Sequence, residues 1–411
     1  MHHLKDNKQR IYNFLLIAVA FTIPFPPKIH AIGYSIITLA VCWLLLGDWK
    51  NKWLQLKNNP VSLIFLLYYP LMVLGYFYSE NKTEAKFLLE KDMPLFALPL
   101  IILSGPKINE QTIYNIVKSF IISCFLVAVY ALGKAVYLYV YFNESHFYYK
   151  EIESMFDVHT TYFSMYLCFS VLLIAVHTYI NRKNLSGVMI ISKIFIGIFF
   201  IFFMYLLAAR MPFFVLISFA TIIMLYFFYK KGKLMKGLVI IAVSIIVIFS
   251  LISTLWHTHQ RFYYALHPQT WEWQGYKTRN EWLNKKVLWG CNLEAIASTN
   301  LLIGAGTGDS WESVMPCYKK WDFVGYYEKY NAHNQYFETM LRLGIMGLSV
   351  WLFSLFIPFW FSLQKKHIYY VLLIAIFAIG CFTETMLDRQ HGVVFYSFFN
   401  AVFFSCFLLK K

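Results

Sequence analysis

The stretch VMIISKIFIGIFFIFFMYLLA, residues 188–208, decides the fold class of this chain. It carries a single charged side chain, that of Lys193. An α-helix needs roughly 20 mostly apolar residues to cross the hydrocarbon core of a bilayer, because each residue adds only about 1.5 Å along the axis. The stretch meets both requirements, and it therefore predicts a membrane-spanning helix.

Similar apolar runs recur along the whole chain. Hydrophobic residues make up 59% of its 411 residues and charged residues 14%, whereas a soluble globular protein carries about 25% charged residues. So few charges cannot cover so much apolar surface in water. We predict an all-α polytopic membrane protein with about twelve transmembrane helices. The predicted spans are 11–27, 31–47, 61–78, 93–105, 112–141, 158–180, 188–208, 211–229, 235–255, 336–362, 367–384 and 391–409.

The connections between these spans alternate in charge. One set is basic and includes Arg182 and Lys183, whereas the other set is acidic and includes Glu384 and Asp388. Lys and Arg favour the cytoplasmic side of a membrane. The pattern predicts a multi-pass membrane protein with both termini in the cytoplasm. It also accounts for the net charge of +15 without a nucleic-acid partner.

This orientation places one long polar segment on the periplasmic side. Apolar positions within Glu281–Thr299 predict short helices there. Cys291 and Cys317 are its only two cysteines, and a disulfide is allowed outside the cytoplasm; the sequence leaves their pairing open. The predicted organisation is spans one to nine in 1–255, a periplasmic catalytic loop in 256–335, and spans ten to twelve in 336–411.

The end of this loop, NAHNQY (residues 331–336), contains the best candidate for chemistry. Asn331 or Asn334 could cap the helix that follows, because asparagine side chains accept hydrogen bonds from the first backbone amides of a helix. His333 would then lie half-buried at the membrane surface. A neutral imidazole there could act as a general base towards a sugar hydroxyl. Alternatively, the histidine only hydrogen-bonds a carbonyl at a helix end.

The spacing of this motif resembles the signature of the O-antigen ligase superfamily. Nine residues separate the pair His333-Asn334 from Gly344-x-x-Gly347, where glycines could also let neighbouring helices approach closely. The arrangement of the predicted spans and the large outer loop is also similar to that of the family, over most of the chain. Two arginines add to the resemblance. They are Arg210 in AARMP, residues 208–212, and Arg279 in RNEW, residues 279–282, ahead of GAGTG at 304–308. The family commonly has Ser and Gly beside the first arginine, where this chain has Ala209 and Met211.

The resemblance implies an enzyme of the bacterial inner membrane that moves a glycan from an undecaprenyl diphosphate carrier to an acceptor at the periplasmic face, without a metal or other cofactor. Arg210 and Arg279 would hold the diphosphate, since guanidinium binds phosphate oxygens bidentately. His333 would deprotonate or orient the acceptor hydroxyl, and attack opposite the leaving group would invert the anomeric carbon. The alternative roles are an interfacial arginine for Arg210 and a salt bridge in the loop for Arg279.

The substrate choice stays open within this family. A ligase would transfer the glycan to lipid A-core, a polymerase would join carrier-linked repeat units, and a third type would glycosylate protein. A secondary transporter is the alternative from another class, although transporters tend to carry ionisable groups near the bilayer midplane. Here the charges lie almost entirely in loops or at span ends.

Further polar residues near the outer surface are weaker candidates. Most are expected to be structural: an ion pair with Glu338 is one role for Arg342, and a helix cap is the expected role for His159. The sequence has no Cys/His cluster with zinc spacing and no Asp-x-Asp motif, so it predicts no metal site. The additional candidates are Arg342, Arg261, Asn334, His159, Lys91 and Arg389.

Overall fold

The computed structural model describes residues 2–233, 235–240, 242, 273–278 and 281–408. Over these residues the chain is helical and contains no β-strand, which confirms the all-α class. The helices are α1 His2–Thr22, α2 Ala31–Leu45, α3 Trp49–Lys57, α4 Ile64–Tyr78, α5 Lys82–Asp92, α6 Pro94–Ser104, α7 Glu110–Phe142, α8 Lys150–Phe156, α9 Thr160–Asn181, α10 Gly187–Leu207, α11 Arg210–Lys230, α12 Glu281–Ser298, α13 Ser310–Lys320, α14 Val324–Tyr327, α15 Gln335–Gln364, α16 Ile368–Gly380 and α17 Gln390–Leu408.

Helices occupy the predicted spans as far as the structure describes them; of the span 235–255 it describes only 235–240 and 242, which are helical. Within the described part of the chain, 6 helices are long and apolar enough to cross a membrane, or up to 7 if the bent pair α2 and α3 forms one span. The fourth prediction, 93–105, corresponds to the 11-residue α6. At about 1.5 Å per residue this helix is too short to cross the hydrocarbon core alone. The count of twelve therefore stays a prediction.

Local capping explains where several helices begin. The Oδ1 atom of Asn81 accepts the backbone N–H of Glu84 at the start of α5, at 3.0 Å. Asn109 accepts the N–H of Thr112 at the start of α7, at 2.8 Å. Each contact satisfies an amide that has no partner inside its helix, and a cap of this kind contributes about 1 kcal/mol.

A large aromatic core holds α7, α9 and α17 together. Phe120 of α7 lies 4.9 Å from Phe399 of α17, measured between ring centroids, and Phe169 of α9 lies 5.5 Å from Phe395. All four rings are fully buried. Pairs with this geometry contribute about 0.5–1.5 kcal/mol beyond the burial of their area. The packing fixes the ends of these helices and the connections that join them.

Helix α15 is broken at Gly344, whose backbone has φ 61° and ψ −160°. The segment 301–306 lies in the break, where the N–H of Ile345 donates to the carbonyl of Leu301 at 2.9 Å and the N–H of Ala305 donates to that of Leu341 at 2.8 Å. A Cβ atom at position 344 would stand 2.4 Å from the carbonyl carbon of Leu302. The glycine thus admits a loop into the helix, which differs from the expected close approach of two helices.

The described part of the predicted loop 256–335 folds into short helices, as expected for its second half. Helix α12 spans Glu281–Ser298, within one residue of the predicted stretch, and packs against α13. A disulfide between Cys291 and Cys317 joins the two helices. Their shared apolar cluster includes Leu288, Tyr318 and Leu341, the last from α15. The loop is therefore anchored to the helix that follows it.

Candidate active site

His333 lies in a tight turn just before α15. Its φ of 41° is in the left-handed region, which is uncommon for a residue other than glycine. The turn is held by two side chains: Asn331 Oδ1 accepts the N–H of His333 at 2.9 Å, and Glu338 Oε2 accepts the N–H of Ala332 at 3.1 Å. The turn therefore fixes the direction in which the imidazole leaves the backbone.

Asn334 is the N-cap of α15, and it is one of the two asparagines proposed from the sequence for this cap. Its Oδ1 atom accepts the backbone N–H groups of Tyr336 and Phe337, at 2.9 and 3.2 Å. Its Nδ2 atom donates to the carbonyl of Phe382 at 3.2 Å. The side chain of Asn334 is buried and fully engaged in these contacts. Capping by the next residue leaves the imidazole of His333 free of that task.

The imidazole of His333 pairs with Glu384, and we call these two residues the His–Glu pair. The distance between His333 Nδ1 and Glu384 Oε2 is 3.0 Å, and the side chains are 35% and 25% exposed. Because the carboxylate accepts a hydrogen bond from Nδ1–H, the lone pair of the neutral ring lies on Nε2. None of the described residues hydrogen-bonds Nε2. This atom can therefore accept a proton from a group that approaches the site.

Electrostatics keep Glu384 ionised. Burial alone would raise the pKa of this carboxyl group, but the hydrogen bond from His333 and the positive charges of His333 and His159 hold the pKa below its usual value. An ionised carboxylate stabilises the imidazolium that forms when Nε2 takes a proton. The pair thus has the charge distribution of a general base, His333, supported by a carboxylate, that of Glu384.

The connection 381–389, which carries Glu384, was partly mispredicted. The sequence extended a span to residue 384, but α16 ends at Gly380. The carbonyl of Cys381 accepts the N–H of Gln335 at 2.8 Å, and the N–H of Leu387 donates to Gln335 Oε1 at 2.8 Å. These bonds place the connection against the start of α15. Sequence reasoning recorded Glu384 only as an outer acidic residue and missed its contact with the histidine.

A buried charged cluster lies beside the His–Glu pair. Arg342 Nη2 is 2.7 Å from Glu338 Oε1 and 3.7 Å from Asp388 Oδ1. Lys91 Nζ donates to the carbonyls of Leu387 and Asp388, at 3.0 and 2.8 Å. Arg342 and Lys91, both candidates from the sequence, therefore hold protein groups in place. Burial raises the pKa of the neighbouring Asp92 to about 6.

His159 and Arg389 lie near the same connection. His159 is the N-cap of α9, and its Nδ1 atom accepts the N–H of Thr161 at 3.4 Å. The hydroxyl of Tyr162 donates to the carbonyl of Thr385 at 3.1 Å, which brings the start of α9 against the connection. Arg389 is exposed immediately before α17. His159 therefore caps α9, which is the role expected from the sequence.

Of the three remaining arginine candidates, the structure describes Arg210. Arg210 is the first residue of α11 and is exposed. Arg279 and Arg261 lie outside the described residues. The predicted meeting of Arg210 and Arg279 around His333 therefore stays a prediction.

A protein-family model matches part of the chain. Residues 195–352 match the family model described as O-antigen ligase. The matched segment begins within α10 and ends within α15, so it contains Arg210, Arg279 and His333. No curated protein matches the chain.

Proposed function

We propose that the protein is a ligase that transfers a glycan from undecaprenyl diphosphate to lipid A-core at the periplasmic face of the inner membrane. The match of residues 195–352 to the family model described as O-antigen ligase supports a membrane enzyme that transfers glycans. The observation that carries the proposal is the His–Glu pair, in which a carboxylate holds Nδ1 of His333 and leaves Nε2 available.

In the proposed reaction His333 acts as the general base. Nε2 takes the proton of the acceptor hydroxyl while the hydroxyl oxygen forms a bond with the anomeric carbon of the donor sugar. The bond between that carbon and the diphosphate oxygen breaks, and the electron pair stays with the diphosphate. Glu384 stabilises the imidazolium at 3.0 Å. A well-placed general base contributes about 10²–10⁴-fold to a rate.

Arg210 and Arg279 would bind the diphosphate and stabilise the charge it gains. Guanidinium groups bind phosphate oxygens in a fork and stay charged at every relevant pH. Their interaction strengthens as the glycosidic bond breaks, which is the condition for lowering a barrier. Attack from the face opposite the diphosphate inverts the anomeric configuration. The reaction proposed here needs no metal and no cofactor.

Two features support the periplasmic side for this chemistry. The disulfide between Cys291 and Cys317 joins helices of the segment that leads to His333, and disulfides persist mainly in oxidising compartments. The basic residues cluster in the other set of connections, which include Arg182 and Lys183. Labelling of single engineered cysteines in 281–330 from the periplasm would support this side, and labelling only after permeabilisation would overturn it.

The decisive experiment is complementation of a deletion strain with the His333→Ala variant. We expect the variant to insert at wild-type level, to leave the lipid A-core uncapped and to accumulate carrier-linked glycan. His367→Ala is the matched control, because His367 is also a half-buried histidine at a helix start, where Nδ1 accepts the N–H of Tyr370. Undiminished capping by His333→Ala would overturn the proposed role of the histidine.

The same strain separates a ligase from a polymerase. Loss of all capped core in the deletion strain, with polymer left on the carrier, is the result expected of a ligase. Core that carries a single repeat unit would instead identify a polymerase and would overturn the proposed acceptor. Either pattern leaves the role of the His–Glu pair to be tested by the variant.

A further inference from the structure

One carboxylate, that of Asp388, links the turn that carries His333 to the connection that carries Glu384. Its Oδ2 atom accepts a hydrogen bond from Asn331 Nδ2 at 2.8 Å, and Asn331 stands two residues before His333. Asp388 itself stands four residues after Glu384, in the same connection 381–389. A single side chain thus joins the turn that presents the histidine to the segment that presents the glutamate.

The contact also determines which way the amide of Asn331 faces. Asn331 Oδ1 accepts the N–H of His333 at 2.9 Å and the hydroxyl of Thr385 at 3.1 Å. The oxygen can face these donors only while the nitrogen faces Asp388, because the two atoms occupy opposite sides of one planar group. A carboxylate accepts hydrogen bonds and cannot donate one, so Asp388 selects this orientation.

Two largely buried cations hold Asp388 in turn. Its Oδ1 atom is 3.7 Å from Arg342 Nη2 and 3.9 Å from Lys91 Nζ. The side chains of Arg342 and Lys91 are 10% and 9% exposed, so water screens these pairs less than it would at the surface. The cations belong to α15 and α5, which anchor the connection to the helical body.

The turn at His333 needs such support. A residue other than glycine in the left-handed region costs about 1–3 kcal/mol and persists only when its surroundings over-determine it. Here the φ of 41° is maintained by side-chain contacts from Asn331 and Glu338. An unsupported turn would relax and carry the imidazole away from Glu384.

We propose that Asp388 is a positioning residue for the transfer reaction, and that it acts through Asn331 to keep His333 and Glu384 in register. This inference rests on the proposed function. Asp388 touches neither substrate nor reacting atoms in this role. Displacement of a catalytic group by about 1 Å can cost a factor of 100 in rate, so the loss of this carboxylate should be visible in turnover.

The test is a double-mutant cycle with purified enzyme and a carrier-linked donor. We expect Asp388→Asn to lower kcat about 10–100-fold with little change in KM, and Glu384→Gln to have a comparable effect. If Asp388 acts through the pair, the double variant should be no more than about threefold slower than Glu384→Gln alone. Multiplication of the two single effects would overturn the inference.

A second readout separates positioning from mere stability. Asp309→Asn is the matched control, because Asp309 is a buried carboxylate that accepts the N–H groups of Glu80 and Asn81 at 2.8 Å and touches neither member of the pair. We expect both aspartate variants to lower the thermal midpoint. Only Asp388→Asn should also lower kcat at temperatures well below the thermal midpoint with little change in KM, because only this substitution loosens the turn that holds His333 against Glu384.

The inference and the proposed function can fail separately. Transfer by His333→Ala at the wild-type rate would remove the proposed function. An inactive His333→Ala, together with a wild-type kcat for Asp388→Asn, would remove only the positioning role. Partial rescue of Asp388→Asn by Asn331→Asp, which reverses the donor and the acceptor of the 2.8 Å contact, would support it further.

Discussion

His159 and His333 occupy comparable places, since each lies where a polar connection enters an apolar helix. At α9 the histidine is the cap, and its Nδ1 atom accepts the N–H of Thr161. At α15 the cap is Asn334, one residue later, and Nδ1 of His333 contacts Glu384. The same residue type therefore performs different tasks according to which neighbour satisfies the helix. An imidazole is available for proton transfer where another side chain caps the helix.

The backbone makes the same distinction. His159 has φ −54° and ψ 133°, an ordinary conformation for a residue that precedes a helix. His333 has φ 41° and depends on the side chains of Asn331 and Glu338. Strained backbone of this kind is stable only where surrounding contacts over-determine it. At the start of α15 the strained backbone and the His–Glu pair occur together. At the start of α9 the histidine has an ordinary backbone conformation, and its described hydrogen bond is to a backbone amide.

The largest expected difference comes from making the same substitution at both entrances. His333→Asn should lower transfer by about 10²–10⁴-fold, because no group remains to take the proton. His159→Asn should keep transfer within about threefold of wild type, since asparagine is a good N-cap. The measurement is the initial rate of transfer with equal amounts of inserted protein. Equal losses at both positions would show that the comparison misassigns His159.

Glu384→Gln should have the next largest effect, about 10–100-fold on transfer, because the imidazolium loses its charged partner. Stability gives an independent check with a definite sign. The pKa of Glu384 is lowered in the folded protein, so its contribution to stability is complete above the unfolded pKa and disappears as the pH falls through the folded value. The gap in thermal midpoint between wild type and Glu384→Gln should therefore shrink below about pH 4. A gap independent of pH would contradict the ion pair.

Local patterns predicted the helices well. The stretch 188–208 became α10 Gly187–Leu207, and Glu281–Thr299 became α12 Glu281–Ser298. Both rest on information within the segment itself, namely the length of an apolar run or the spacing of apolar positions. The cap at Asn334 was also predictable, because a cap depends on residues two and three positions further along the chain.

Contacts between distant segments could not be predicted in the same way. Glu384 lies 51 residues from His333 in sequence, and the apolar run that precedes it looked like a continuous span. The break at Gly344 depends on backbone bonds to the segment 301–306, which no local pattern encodes. Gly344 could be recognised in the sequence as part of the motif. The reason that a glycine is needed there is a tertiary contact, because a Cβ atom at this position would lie 2.4 Å from the carbonyl carbon of Leu302.

Removal of the cap itself should have the smallest effect. Asn334→Ala removes the acceptor of two amide protons at the start of α15 and should lower the free energy of unfolding by about 1 kcal/mol. Asn81→Ala at α5 is the matched control, with a comparable loss of stability. Thermal midpoints and transfer rates measure the two consequences.

Restoration of the cap then decides whether Asn334 does more than cap. Asn334→Ser keeps an oxygen that can accept the amide protons, so it should recover most of the stability. If the task of Asn334 is to cap α15 and leave the imidazole to Glu384, transfer by Asn334→Ser should recover in parallel with stability. Recovered stability with transfer as low as that of His333→Asn would instead assign Asn334 a direct contact with substrate. In that case Asn334 would both cap α15 and bind substrate, and the contrast with α9, which assigns only capping to Asn334, would no longer hold.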